Sequence, residues 1–256
     1  LPISMGARRL GHDPTAALLA ARITEQQLLE PGGRITAIQM ERLSDQLMSQ
    51  LDDEALGWFS RRLPWGSYGM LARASITSPT LQVALQRWCR HHALLTDDIR
   101  LQVHLEQSSS ASISLQALNP SAWLQGELLE FCHVSLLRNL LGLASWLADS
   151  RLTLTAAEFA FDAPPHAKAY GVLFPTPCTF GQPQTRVLFS ASYLSLPVRR
   201  DEAALRQMLQ RALPLTVHTY RKDRLLIEQV HQAFKATPAC MRNADTLAAQ
   251  RSAAGA

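Results

Sequence analysis

The sequence predicts an α+β fold, in which an antiparallel sheet of short strands packs with helices and is followed by C-terminal linker helices. Three observations carry this. Residues 99–106 and 111–116 alternate apolar and polar side chains on either side of Gln107, Ser108, Ser109 and Ser110, the pattern of an antiparallel hairpin with one face in the core. Residues 123–148 form a long stretch too rich in leucine for a surface element, which predicts a central buried helix. Strand patterns and helical patterns interleave without repeated βαβ units, which favours α+β over a doubly wound parallel sheet.

Taken in order, residues 10–21 read as a short helix, with Asp13-Pro14 supplying the N-cap and first-turn signal. Glu30, Pro31, Gly32 and Gly33 break the chain. Ile38, Met40, Leu43, Leu47 and Leu51 recur near helical period and predict a helix over 36–51. Asp52, Asp53 and Glu54 then suit a helix start, where carboxylates meet the positive end of the dipole. Residues 65–69 form a glycine-punctuated loop carrying Trp65 and Tyr68. Ser78-Pro79 opens a further helix, with Leu81, Val83, Leu85, Trp88 and Leu95 as its apolar positions.

After the hairpin and the long helix, residues 151–161 predict a third strand and 163–173 a short helix. Residues 178–180 and 186–189 predict two more short strands. Beyond Leu196-Pro197, residues 201–213 and 215–235 read as amphipathic helices.

The 256 residues suffice for one large domain, and 47% hydrophobic with 18% charged content excludes a disordered chain. Cys89, Cys132, Cys178 and Cys240 lie far apart without a C-x-x-C, which excludes a disulfide-dense scaffold and a local zinc knuckle. Arg138 and Asn139 interrupt the longest apolar run, and the N-terminus lacks the layout of a signal peptide, so a cytoplasmic protein without a membrane span is expected. The net charge of +4 divides unevenly: residues 1–198 carry −1 and residues 199–256 carry +5. A neutral body with a basic tail suits a module joined to something that meets nucleic acid, or simply a solvated basic helix.

No nucleophile elbow, phosphate-binding loop or dinucleotide fingerprint occurs, and no cofactor or metal is expected. Cys89-Arg90-His91-His92 and Cys132-His133 are the only reactive or ligand-capable clusters. Either could hold an activated thiol, which leaves a Cys/His-dependent enzyme as an alternative. Neighbours on a helix point about 100° apart, however, which favours buried, inert thiols. His133 and Arg138 lie within the apolar helix, where an unpaired charge is costly, so each is either satisfied there or aimed into a cavity. The loop with Trp65 and Tyr68 either packs its aromatics or lines that cavity.

An ordered set of segments completes the reading. Residues 65–71 (WGSYGML) are followed by 77–85 (TSPTLQVAL), then Phe159-Ala160-Phe161, Tyr170, Phe174, Phe180-Gly181-Gln182-Pro183, Leu188-Phe189 and Leu194-Ser195-Leu196-Pro197. Over roughly residues 10–200 this resembles the N-terminal, effector-binding half of AraC/XylS-type bacterial transcription regulators, in the subgroup named for arabinose binding. Residues 243–250 are similar to the start of that family's first DNA-binding helix. The resemblance implies an effector-binding domain over 1–198, a basic helical linker over 199–242, and the start of a helix-turn-helix domain over 243–256 whose recognition helices lie beyond this sequence. It further implies a homodimer, a fatty acid, aromatic or amino-acid-like effector, and promoter DNA met only through the missing C-terminal domain. On that reading Trp65, Tyr68, Met70, Arg73, Trp88, His133 and Arg138 are the expected ligand-binding residues, and none is catalytic. A dimerisation module without a ligand is the other alternative.

Overall fold

A computed structural model describes residues 2–30, 32–106, 109–119, 123–218, 220, 223–225, 227 and 230. Four helices open the chain: α1 (Pro2–Arg9), α2 (Thr15–Ala20), α3 (Glu25–Leu29) and α4 (Ala37–Leu51). The predicted helix over 10–21 is thus shorter and is preceded by another. Asp13 accepts from the Thr15 amide and hydroxyl, but the N-cap position of α2 is Pro14, one residue later than the Asp13 cap the sequence predicts. Thr24 with Gln27 and Thr36 with Gln39 form capping boxes, each satisfying two backbone donors at the start of α3 and α4.

The acidic triplet ends a helix instead of starting the next one in sequence. Asp52 adopts the left-handed conformation that terminates α4. Buried Asp53 accepts from the amides of Ala55, Gly57 and Leu63 at 2.8–2.9 Å. Glu54 reaches across the loop to the amides of Gly66 and Tyr68, at the start of α5 (Ser67–Ile76). The dipole interaction expected from sequence therefore occurs, but with a helix that begins 13 residues later. Because α5 begins at Ser67, only Trp65 and Gly66 of the predicted glycine-punctuated loop remain loop.

Helix α6 (Leu81–Leu95) starts with Thr80 as its side-chain cap, just after Ser78-Pro79. Strands β1 (Ile99–Leu105) and β2 (Ser110–Ala117) form the predicted hairpin, pairing Leu101 with Leu115 and Val103 with Ile113. Helix α7 (Gly126–Ala148) follows, ended by Asp149 in the left-handed conformation. Then come β3 (Leu154–Glu158), a 3-10 turn, α8 (Tyr170–Leu173), β4 (Cys178–Thr179) and β5 (Thr185–Ser190). The sheet order is β1-β2-β5-β3-β4, antiparallel except for the β3–β4 pair.

Inner strand β2 departs from a strand with one face in the core: Ser112 and Ser114 are buried along with Ala111, Ile113 and Leu115. Ser112 meets the requirement for a buried hydroxyl by donating to Glu106 at 2.7 Å. Phe159, Phe161, Tyr170, Phe174 and Phe180 form one aromatic cluster, with Phe159–Tyr170 centroids 4.9 Å apart. Helix α7 is long and apolar enough to cross a bilayer by length and composition alone, but 67% of its most apolar stretch is buried inside this fold. Its role here is that of the predicted core helix.

Helix α9 (Glu202–Leu209), capped by Asp201, is the first predicted C-terminal helix. The second is broken. Helix α10 covers only Pro214–Val217, and His218 is extended. Beyond it, Tyr220 and Asp223 are not helical, whereas Arg224, Leu225, Ile227 and Val230 are; 231–235 and the segment 243–256 lie outside the described residues. The described part of the basic tail lies against the body. Arg200 donates to Trp146 O and Asp149, Arg211 to Glu41, and Arg224 to Ala148 O. The first and last of these carbonyls belong to the C-terminal turn of α7, where orphan acceptors and the dipole both favour cations.

Candidate functional site

A cavity of about 760 Å³ lies between the helices of the N-terminal half and the C-terminal helices. Its walls come from seven parts of the chain, α5 giving Tyr68, Gly69 and Leu71 and β1 giving Leu101. Helix α4 supplies Met40, Ser44 and Met48, and the loop pinned by Asp53 and Glu54 supplies Trp58, Phe59, Leu63 and Trp65. Helix α6 supplies Trp88 and His92, one turn apart on the same face. Helix α7 contributes Phe131, Ser135 and Asn139, also a single stripe at four-residue spacing, together with Leu136 and Leu140. Leu209 to Leu213 and Thr216 close the last side, so α9 and α10 are themselves a wall.

The walls are mostly apolar with a few buried polar atoms, the usual make-up of a small-molecule site. Tyr68 and Trp88 pack edge to face at 5.2 Å, and Trp58 does so with Phe131 at 5.6 Å. His92 is buried beside Phe59, and desolvation pulls its pKa down to about 4, leaving the ring neutral at pH 7. Burial raises the Glu54 carboxyl, opposed by the two amides it accepts from. The same desolvation, together with the Glu54 charge, pushes the Tyr68 phenol well above its ordinary value.

Of the residues expected from sequence, Trp65, Tyr68 and Trp88 line this cavity. The other four lie elsewhere. Met70 is exposed on α5. Arg73 is bound to Glu202 of α9 in an exposed bidentate pair at 2.8 Å. His133 is buried, with Nδ1 3.1 Å from Thr185 Oγ1, and its pKa also falls to about 4. Arg138 donates to Thr216 O at 2.9 Å and to Leu173 O at 3.0 Å, and lies over the Phe174 ring. It borders a separate narrow cleft of about 30 Å³. Both arginines thus tie the C-terminal helices to the body.

Sequence reasoning passed over Trp58, Phe131 and Asn139 as site residues and placed His92 in a cysteine-histidine cluster. The i, i+4 pairing of Trp88 with His92 was a legible signal; nothing local marked Trp58.

The thiols face the wrong way energetically for nucleophilic work. Burial pushes Cys89 up to about 12 and Cys132 well above its ordinary value, whereas a nucleophilic thiol needs a lowered pKa. Iodoacetamide at pH 8 is therefore expected to leave both unmodified in the folded protein and to label them fully in denaturant. Rapid labelling of either in the native state, followed by mass spectrometry, would restore the enzyme alternative. Among the described residues, no group of three His, Cys, Asp or Glu converges to hold a metal.

With this geometry in hand, comparison with known proteins is informative. The chain is 23% identical over 220 residues to the ornithine utilization regulator of Pseudomonas aeruginosa, covering 86% of this chain and 63% of that protein. It therefore spans less than two thirds of the relative's length. Among solved structures it is similar to the transcriptional regulator CdpR from Pseudomonas aeruginosa, with a TM-score of 0.43 and 15% identity over 96% of this chain and 73% of that one. Residues 11–198 match the family described as the arabinose-binding domain of AraC transcription regulators, N-terminal. That match covers most of the sequence, and the chain belongs to the AraC family of transcription regulators, of which it carries the N-terminal, arabinose-binding-type domain.

Proposed function

We propose that this chain is the ligand-sensing and dimerisation region of a cytoplasmic one-component transcription regulator, and that its effector occupies the cavity of about 760 Å³. The observation that carries the proposal is the identity of the last wall. Leu209 to Leu213 and Thr216 line the cavity and also belong to the basic segment, 199–242, that leads away from the sensor body, 1–198. A ligand that touches this wall in one arrangement more than in another shifts the equilibrium between them, which is the physical requirement for an effector. A coupling of about 1–3 kcal/mol would be ordinary for such a device. Promoter contact belongs to a helix-turn-helix region further along the full-length regulator.

The apolar and aromatic walls favour an effector with an apolar or aromatic body. They suit ornithine, a small amino acid with a carboxylate and two ammonium groups that is suggested only by the relative's name, poorly.

The experiment uses N-phenyl-1-naphthylamine, an uncharged fluorophore that brightens in apolar surroundings. Wild-type protein is expected to bind it at micromolar concentration, and Leu136→Trp, which fills the cavity from α7, to weaken binding at least about tenfold, one lost apolar contact surface of this size being worth more than 1.4 kcal/mol. Hydrogen exchange across residues 209–216 is expected to slow when the probe is bound. No binding, or equal binding by Leu136→Trp, would remove the cavity as the effector site. Sedimentation of the chain tests self-association separately, a monomer at all concentrations overturning the dimer.

A further inference from the structure

Residues that line the cavity carry buried polar atoms with no hydrogen-bond partner among the described residues. They are Trp58 Nε1, His92 Nδ1, His92 Nε2 and Asn139 Oδ1. Two further atoms of this kind among the described residues, Ser78 Oγ and His133 Nε2, belong to residues away from the cavity, so four of six fall on it. Folded proteins pair nearly all of their buried polar groups, and unpaired ones concentrate where a ligand or a catalytic step uses them. Here they arrive from three elements remote in sequence: the loop after α4, helix α6 and helix α7. No single distorted segment accounts for the set.

Their chemistry is complementary to one kind of group. An indole N–H only donates, an amide oxygen only accepts, and a neutral imidazole does one of each. Trp58 and His92 are 5% and 3% exposed, so neither turns to solvent.

The charged residues of the lining sit differently. Arg211 is held by Glu41, Arg42 and Asp45 are exposed, and Glu54 is committed to the amides of Gly66 and Tyr68. Glu41, Asp45 and Glu54 outnumber Arg42 and Arg211. An anionic head would thus enter a cavity whose described charged residues carry a slight excess of negative charge. Arg73 and Arg138, expected from sequence among the ligand-binding residues, are engaged outside it.

Resting on the cavity as effector site, we propose that its ligand is an uncharged molecule with an apolar body and a head that both donates and accepts hydrogen bonds, a carboxamide or an alcohol, and that small side-chain rotations on binding turn Trp58 Nε1, His92 and Asn139 Oδ1 toward that head.

Three probes of equal chain length separate the possibilities: decanamide, decanoate and decylamine, each displacing N-phenyl-1-naphthylamine at pH 7.5 and each confirmed by calorimetry. Decanamide is expected to bind at least about tenfold more tightly than either charged probe, since desolvating a charge without a partner is costly. Asn139→Leu and His92→Leu are each expected to weaken decanamide by about five- to tenfold while retaining the naphthylamine. Neither variant is expected to lower the melting temperature of the ligand-free protein, because an unpartnered polar atom contributes nothing to the fold.

Decanoate or decylamine binding as tightly as decanamide overturns the uncharged head and leaves the cavity in place as the effector site. Variants that bind decanamide like wild type, or that melt lower without ligand, show the atoms to be structural and overturn the assignment. Failure of wild-type protein to bind the naphthylamine overturns the cavity itself, and this proposal with it.

Discussion

Between pH 6.5 and pH 4 the free energy of unfolding is expected to fall by roughly 5 kcal/mol, about 2.5 kcal/mol from each of two buried histidines. His92 and His133 are 3% and 4% exposed, and burial alone lowers both from the ordinary 6.5 to about 4. Above about pH 7.5 each ring is neutral in the folded and unfolded chains, so stability does not depend on it. Below that value the unfolded chain takes up a proton that the folded protein refuses until about pH 4. Protons are then bound more by the unfolded state, and stability declines as pH falls through that window.

Carboxylates add to the decline: Glu41 is held low by its hydrogen bond from Arg211 and loses that support on protonation. Glu54, raised by burial, works in the opposite direction. Urea denaturation at half-unit steps from pH 4.5 to 7.5 measures the slope. The double variant His92→Leu with His133→Gln is expected to flatten it to the carboxylate contribution, the glutamine retaining a polar partner for Thr185. An unchanged slope in the double variant would show that both rings accept protons in the folded state.

Gly142→Leu is expected to release α10 from α7 without unfolding the body. Any Cβ at position 142 would lie 2.2 Å from the carbonyl oxygen of Leu215 and 2.7 Å from its carbon. Backbone cannot yield as a flexible side chain does, so the two helices must separate by an ångström or more. Better helix propensity at an interior glycine recovers only about 1 kcal/mol, whereas forcing bulk into a packed contact costs about 1–3 kcal/mol, and the branched side chain makes the balance unfavourable. Undocking also breaks the bond from Arg138 to Thr216 O.

Hydrogen exchange in residues 209–218 is expected to accelerate by at least about tenfold, with amides in β2 and β5 unaffected, since local opening need not involve the core. Affinity for N-phenyl-1-naphthylamine is expected to drop in the same variant, because Leu213 and Thr216 leave the wall. Retained protection in 209–218 would mean that the α7–α10 contact tolerates bulk and does not hold the wall.

Both effects arise where the local pattern said least. Periodicity in 99–106 and 111–116 predicted the hairpin, and its register puts Leu101 opposite Leu115. The leucine-rich run predicted α7, and Asp201 marked α9. Misreadings occurred where a residue serves something distant. The carboxylates of Asp52, Asp53 and Glu54 were legible as helix-capping groups, but the helix start that Glu54 serves is α5, across a loop. The serines of β2 looked solvent-facing because alternation cannot tell water from a second layer of protein.

The candidate site divides in the same way. Trp65, Tyr68 and Trp88 could be picked out as large aromatics near a glycine-rich turn. Arg73 and Arg138 were legible as cations needing partners, but their partners are Glu202, 129 residues away, and Thr216, 78 residues away. Trp58 and Asn139 carry no local mark at all.

By itself the sequence determined the kinds of elements and much of their order, the neutral body with its basic tail, and, through the ordered segments from 65 to 197, the family. These are properties of neighbours along the chain, where period, capping and composition act over a few residues. Only the tertiary structure decided which helix faces meet around the cavity, which arginines are already paired, and that α9 and α10 form its last wall. Each of those depends on side chains brought together from dozens of residues apart, and burial, which sets both the histidine pKa values and the cost of an unpaired polar atom, exists only once they have met.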